Sequence, residues 1–285
     1  MPLISKIKIL LEMIKIEHTV FAMPFLYSGA ILAAGGIPSF HILTWITIGI
    51  ISARTAAMGL NRLIDRDIDA KNPRTSNRAL PAGLVSIGEV RALVGVSLVV
   101  LLIAAVMLNW LCIALYPFAV ALFVVYPYLK RYTWLSHIVL GMTLGVAPLG
   151  AWAAVTGSLA IVPVLLFLAV TFWVAGFDII YAYQDLEFDK SFGLHSIPKR
   201  FGMKGGLLMS SMFHGLMIIL LLITMPLANL GMVFMAGVAV IAALLAYEHR
   251  IVKPDNLEKV GVAFFNINAI ISLCFFVFIA TDVLL

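Results

Sequence analysis

Asn61-Arg-Leu-Ile-Asp65-Arg-Asp-Ile-Asp69 closes an apolar run that begins at Phe40. The run 40–64 exceeds the roughly 20 apolar residues that cross a hydrocarbon core. Its end carries an amide and two carboxylates at i, i+4 and i+8. Each four-residue step on a helix drifts only about 40°, so Asn61, Asp65 and Asp69 share one face. The macrodipole disfavours carboxylates at a helix C-terminus, and Asp65, Asp67 and Asp69 crowd this one. Something cationic belongs beside them.

Working outward, the other apolar runs set the class. Of 285 residues, 63% are hydrophobic and 12% charged, and mean hydropathy is +1.09. A soluble domain carries about 25% charged residues, so an ordinary soluble enzyme is excluded and the chain reads as all-α and integral to a membrane. Cys112 and Cys274 lie in apolar runs with no metal spacing and read as small core residues. Residues 1–17 interleave apolar residues with Lys6, Lys8, Glu12, Lys15 and Glu17. This pattern suits an amphipathic surface helix rather than a cleaved signal.

Nine transmembrane helices are expected, at about 18–36, 40–64, 89–108, 110–128, 134–155, 161–182, 205–228, 230–250 and 261–284. Only the connections 65–88 and 183–204 are long. With nine spans, all 19 Lys and Arg residues fall on one side or in helix ends facing it. By the positive-inside rule the N-terminus and both long loops are cytoplasmic and the C-terminus is outside. This segregation also accounts for the net charge of +5 with no need for a nucleic-acid partner. Residues 1–285 read as a single integral-membrane domain.

A second constellation matches the first. Tyr181, Asp185 and Asp189 close the sixth span, and Asp185 follows Asp65 by 120 residues, as Asp189 follows Asp69. The plan is two four-helix halves plus one helix, with the site where the halves meet. Basic residues trail each motif: Arg74 and Arg78 after the first, Lys199 and Arg200 after the second. Carboxylates four apart on a helix lie about 6 Å from one another. That spacing suits Mg²⁺ ions that keep waters and bridge to phosphate oxygens. Four aspartates and a diphosphate repel one another unless divalent cations and Arg or Lys balance them. The competing reading of each motif is a set of ordinary interfacial charges ending a span.

Asn61…Asp65…Asp69 with Arg74-Thr75…Arg78, and Asp185-x3-Asp189, resemble the two aspartate-rich motifs of the UbiA superfamily of intramembrane prenyltransferases. Tyr126-Pro-Tyr-Leu-Lys-Arg131 is similar to its aromatic-acid branch. The resemblance implies Mg²⁺-dependent transfer of a polyprenyl chain from polyprenyl diphosphate to an acceptor within the lipid bilayer of a bacterial-type inner or plasma membrane, at a site facing the cytoplasm. It points to 4-hydroxybenzoate as acceptor in ubiquinone-type quinone biosynthesis, or to a dihydroxynaphthoate for menaquinone. The family's usual Asn-Asp opening is Asn61-Arg62 here, one carboxylate fewer.

On this reading Asn61, Asp65, Asp185 and Asp189, with Asp69 nearby, hold the metal, and Arg74, Arg78, Lys199 and Arg200 bind the diphosphate. Arg54 lies seven residues before Asn61 on the same face and deeper, where a charge is costly and usually functional. It reads as the guanidinium for an aromatic acid's carboxylate, or as a structural partner of Asp178 or Glu248. Asp178 shares the face of Asp185, to complete the metal's surroundings, steady the acceptor, or pair with Arg54. Tyr181 reads as an orienting hydroxyl or as packing. His195 reads as a solvated loop residue, and His137 and His214 as interfacial residues at span ends. Two other classes stay open: a cation- or proton-coupled transporter, weakened because the acids cluster at one membrane face, and a lipid phosphatidyltransferase, whose Asp-Gly-x2-Ala-Arg signature is absent.

Overall fold

The computed structural model describes residues 3–15, 19–252 and 260–285, and these form helices with no strand among them. In chain order they are α1 (Leu3–Met13), α2 (Thr19–Ala34), α3 (Phe40–Ile64), α4 (Arg66–Lys71), α5 (Ile87–Leu108), α6 (Trp110–Leu129), α7 (Ser136–Thr156) and α8 (Ile161–Ala182). There follow α9 (Leu186–Phe192), α10 (Ile197–Leu227), α11 (Met232–Ile251) and α12 (Val260–Val262), which passes through a π-helical turn (Ala263–Ile267) into α13 (Asn268–Leu284). Among the described residues eight stretches are long and apolar enough to cross a membrane; α2, with 16 residues, is shorter. Residues 1, 2, 16 and 17 of the expected N-terminal helix, and residue 18 at the start of the expected first span, lie outside the described residues.

Polar residues at the joints set where the helices stop. Asn109 leaves α5 in extended conformation and its Oδ1 accepts from the Leu111 and Cys112 amides, both at 3.1 Å, capping α6. Its Nδ2 donates to the Ala153 and Ala154 carbonyls of α7, so one side chain ends two helices and ties them to a third. Ser86 and Glu89 form a reciprocal capping box at the start of α5. Gly157 ends α7 with φ +65°, a conformation that favours glycine. One boundary differs from the sequence reading. α10 begins at Ile197 rather than near 205, because a helical turn precedes Gly202, whose φ of 70° and ψ of −179° kink the helix there.

α8 is buried on nearly every side, with α7 and α10 packed along it. Small residues allow the close approach. A Cβ at Gly145 of α7 would lie 2.6 Å from the Phe167 carbonyl oxygen, and Gly141 also abuts the α8 backbone at Thr171. Gly59 of α3 meets Val94 of α5, and Gly176 of α8 meets His214 of α10. The main core cluster joins Phe25, Trp173, Phe234, Ile271 and Phe275; Phe25 touches the rings of Trp173 and Phe275 at 4.7 and 4.8 Å. Asp282 near the end of α13 accepts from the Gly231 and Phe234 amides at the start of α11. These contacts make a rigid frame that leaves the ends of α3 and α8 side by side.

Candidate active site

Both aspartate motifs are built on the same backbone joint. α3 ends at Ile64, Asp65 takes φ −91° and ψ 3°, and α4 restarts at Arg66. After α8 and the 3₁₀ turn Tyr183–Asp185, Asp185 takes φ −105° and ψ 3°, and α9 restarts at Leu186. The Asp65 amide bonds to Asn61 O at 3.0 Å and the Asp69 amide to Asp65 O at 2.8 Å, so the four-residue spacing survives the joint.

The joints meet across the bundle. Arg74, beyond α4, grips Asp185 with Nε at 2.8 Å and with Nη2, while Nη1 donates to the Tyr181 hydroxyl at 2.9 Å. Asn72 Nδ2 adds a bond of 2.8 Å to the same carboxylate. Burial alone would lower the Arg74 guanidinium pKa, but its bonds to Asp185 and Tyr181 raise it, so this residue stays charged.

Beneath the joints lies a cavity of about 620 Å³. Asn61, Asp65, Asp185 and Asp189 line it, as do Arg54, Arg62, Arg78, Lys130, His137, Asp178 and Tyr181. Its apolar wall includes Leu140, Leu144, Trp173 and Phe177, and α1 contributes Ile9, Glu12 and Met13. Asp65 is nearly inaccessible and bonds to Lys130 Nζ at 2.7 Å and Asn61 Nδ2 at 2.9 Å. Burial pushes its carboxyl above the usual carboxylate range, against the pull of Lys130. Its Oδ1 is buried with no hydrogen-bond partner.

Several expected residues turn elsewhere. Asp69 is buried off the cavity wall, and both its oxygens accept from Arg78 Nη1 at 2.9 and 2.8 Å. Lys199 does not line the cavity. Its ammonium donates to the Asp189 and Leu194 carbonyls at 3.1 and 2.6 Å, satisfying backbone left open at the end of α9. Arg200 is exposed, its guanidinium over the Phe201 ring. Among the described residues no three carboxylates, histidines or thiols converge as a ready-made metal cage; Asp65 and Asp185 are held by Lys130 and Arg74.

Arg54 is not paired with Asp178 or Glu248. Asp178 bonds to His137 Nδ1 at 2.7 Å, Glu248 is wholly buried and bonded to Asn268, and the Arg54 Nε is buried with no hydrogen-bond partner among the described residues. Sequence reasoning set His137 and His214 among interfacial histidines, yet both are buried. His214 bonds to His249 and to the Trp173 carbonyl. Lys130 and Asn72 carried no signal beyond a nearby motif, since their partners lie far off in sequence. Arg62, the residue at odds with the motif, is buried. Its Nε donates to the Met13 carbonyl at 3.3 Å, and its Nη1 reaches Asn61 Oδ1 at 3.4 Å and lies 3.9 Å from Asp69. It fastens the end of α1 to the first motif.

A second cavity of about 130 Å³ lies one to two turns further along the same helices. Ile50 and Ala53 of α3, Ala119 and Phe123 of α6 and Val146 of α7 line it, and its surface is almost wholly apolar.

The sequence profile of the UbiA prenyltransferase family matches residues 22–270. A 4-hydroxybenzoate octaprenyltransferase of Alkalilimnicola ehrlichii is 34% identical over 240 residues, covering 84% of this chain and 82% of its own. The apo structure of a UbiA homologue from Aeropyrum pernix K1 superposes with a TM-score of 0.86 at 33% identity, covering 94% of this chain and 99% of that one. An Archaeoglobus fulgidus UbiA homologue bound to DMAPP and Mg²⁺ shares the fold, with a TM-score of 0.69 at 21% identity over 95% of this chain and 99% of its own. With paired aspartate joints over a partly apolar cavity, and a family match across most of its length, this chain belongs to the UbiA prenyltransferase family and is a membrane-integral polyprenyltransferase.

Proposed function

We propose that the chain transfers a polyprenyl group from polyprenyl diphosphate to the ring of an aromatic acid, 4-hydroxybenzoate, as in ubiquinone-type quinone biosynthesis. One observation carries the choice of an acid: Arg54 is a guanidinium on the cavity wall whose buried Nε has no partner. A planar carboxylate satisfies such a fork. Relatives named 4-hydroxybenzoate octaprenyltransferase support the same acceptor.

Mg²⁺ is the cofactor of this reaction. Asn61, Asp65, Asp185 and Asp189 offer it hard oxygen donors on one cavity, and the Oδ1 of Asp65, with no hydrogen bond among the described residues and the Arg131 guanidinium 3.7 Å away, is the kind of buried atom a cation satisfies. The Archaeoglobus fulgidus homologue bound to DMAPP and Mg²⁺ supports the fit. When bound, the metal supplies positive charge to the departing diphosphate.

The chain's own residues supply the rest. Arg78 and Lys130 on the cavity wall, with Arg74 behind them on Asp185, supply the diphosphate with positive charge, so the allylic C–O bond breaks toward a charge-stabilised leaving group. Asp69, through its two bonds to Arg78, aims that guanidinium. Tyr181 orients Arg74. Trp173 and Phe177 line the cavity, helping to exclude water and giving the allylic cation an aromatic wall. Arg54 holds the acceptor's carboxylate, and Asp178 accepts a hydrogen bond from its ring hydroxyl. The ring carbon ortho to that hydroxyl forms the new C–C bond to the allylic carbon and then loses its proton to the released diphosphate. The deeper apolar cavity takes the start of the prenyl tail. In this reading α2 is a ninth span, α1 lies along the membrane surface, and α1 and the segments 65–88 and 183–204 are on the cytoplasmic side, supported by the one-sided distribution of Lys and Arg.

The test is transfer from labelled polyprenyl diphosphate in Mg²⁺-loaded membranes to a panel of phenolic acids and their carboxyl-free analogues. Prenylated 4-hydroxybenzoate is the expected product. Equal transfer to the carboxyl-free phenols, or transfer to a dihydroxynaphthoate alone, would overturn the assignment.

A further inference from the structure

We propose that His137 is a positioning residue that holds the Asp178 carboxylate in its working orientation, with its own tautomer set by the first amide of α10. The inference rests on the proposed role of Asp178 at the acceptor's hydroxyl.

His137 is 4% exposed, on the first turn of α7, and bonds on both sides of its ring. The Ile197 N–H points to Nε2 at 3.3 Å. A backbone amide can only donate, so Nε2 is an acceptor and carries no proton. The ring proton is therefore on Nδ1, which donates to Asp178 Oδ2 at 2.7 Å. A protonated ring would set N–H against N–H at Ile197, so the geometry selects the Nδ1–H tautomer facing the Asp178 carboxyl group. No other described side chain bonds to that carboxylate, which leaves its second oxygen for a ligand.

The mounting is stiff. His137 and Asp178 stand on α7 and α8, which approach backbone to backbone at Gly141 and Gly145. The loop before α10 is pinned as well. The His195 amide donates to the Lys130 carbonyl at 2.7 Å, and the Lys130 ammonium bonds to Asp65. The start of α10 thus braces both ends of the site, the acceptor end through His137 and the diphosphate end through Lys130.

Two substitutions separate the bonds. The amide nitrogen of His137→Asn falls where Nδ1 lies and keeps a donor for Asp178. The amide of His137→Gln reaches the Nε2 position, serving Ile197 but not Asp178. Losing a hydrogen bond to a charged group costs about 1.5–3 kcal/mol, roughly a 10- to 150-fold change. In nanodiscs with Mg²⁺, His137→Gln should lower kcat/KM for 4-hydroxybenzoate by that factor, with KM for polyprenyl diphosphate within about threefold of wild type. His137→Asn should retain activity within about fivefold, and His137→Gln should add little to the loss from Asp178→Asn. Equal losses in the Asn and Gln variants, or a loss confined to the diphosphate KM, would overturn the role. If the wild type leaves 4-hydroxybenzoate untouched, the proposed function fails, and the same comparison is made with a dihydroxynaphthoate, whose hydroxyl also flanks the attacked carbon. ¹⁵N spectra of histidine-labelled wild-type protein give a readout free of activity and of variant folding: a neutral Nδ1–H tautomer for His137 is expected, and an Nε2–H tautomer or imidazolium would refute it.

Discussion

Removing the guanidinium of Arg54 should cost the enzyme its aromatic acid well before its prenyl donor. Arg54 sits two turns below Asn61 on α3, on the wall of the main cavity, with a buried Nε that no described group satisfies. On the proposed reading, an arriving carboxylate offsets the cost of this charge in a largely apolar span. Deleting one partner of a buried, hydrogen-bonded charge pair costs about 2–5 kcal/mol, or roughly 30-fold to a few thousand-fold in acceptor kcat/KM. Arg54→Met keeps the length and apolar stem while removing the fork. The assay is steady-state transfer with 4-hydroxybenzoate and 4-hydroxybenzamide side by side. The wild type should favour the acid, and Arg54→Met should level the two by losing the acid alone. Arg54→Lys should recover part of the loss, as a point charge without a planar fork. An unchanged acceptor kcat/KM, or an equal loss for acid and amide, would refute the carboxylate role.

Other outcomes follow from the same geometry. Asp65→Asn and Asp185→Asn should each lower Mg²⁺-supported turnover by at least about 100-fold, and EDTA should abolish it in the wild type; transfer persisting in either case would remove metal from the site. Asp69→Ala and Arg78→Ala should be strongly non-additive, because Asp69 acts through Arg78; a double variant whose losses simply add would give Asp69 an independent role. Gly145→Val should disrupt the α7–α8 contact, where even a Cβ would lie 2.6 Å from the Phe167 oxygen. It should lower the yield of folded protein in detergent, and a normal melting profile would show that the helices can part.

The long apolar runs predict the helices because a bilayer rewards length and hydropathy, both local properties of a chain. Asn109 and Gly157 are equally local, and the ends they mark at α5, α6 and α7 match. The two aspartate motifs are legible from spacing, and their meeting through Arg74 and Asp185 follows from the repeat they imply. What spacing cannot convey is which partner each side chain finds across the bundle. Asp69 and Asp65 share a helical face, yet one binds Arg78 off the cavity wall and the other faces Lys130. Lys199 follows the second motif as Arg78 follows the first, but the end of α9 takes its ammonium. Arg62 looked like a missing carboxylate until the Met13 carbonyl of α1 came beside it. The sequence by itself determined a membrane-spanning helical chain with paired acidic helix ends. Tertiary structure alone decided which acids stay open to ligands, because a charge in an apolar bundle takes whichever counter-group the helix packing brings within reach.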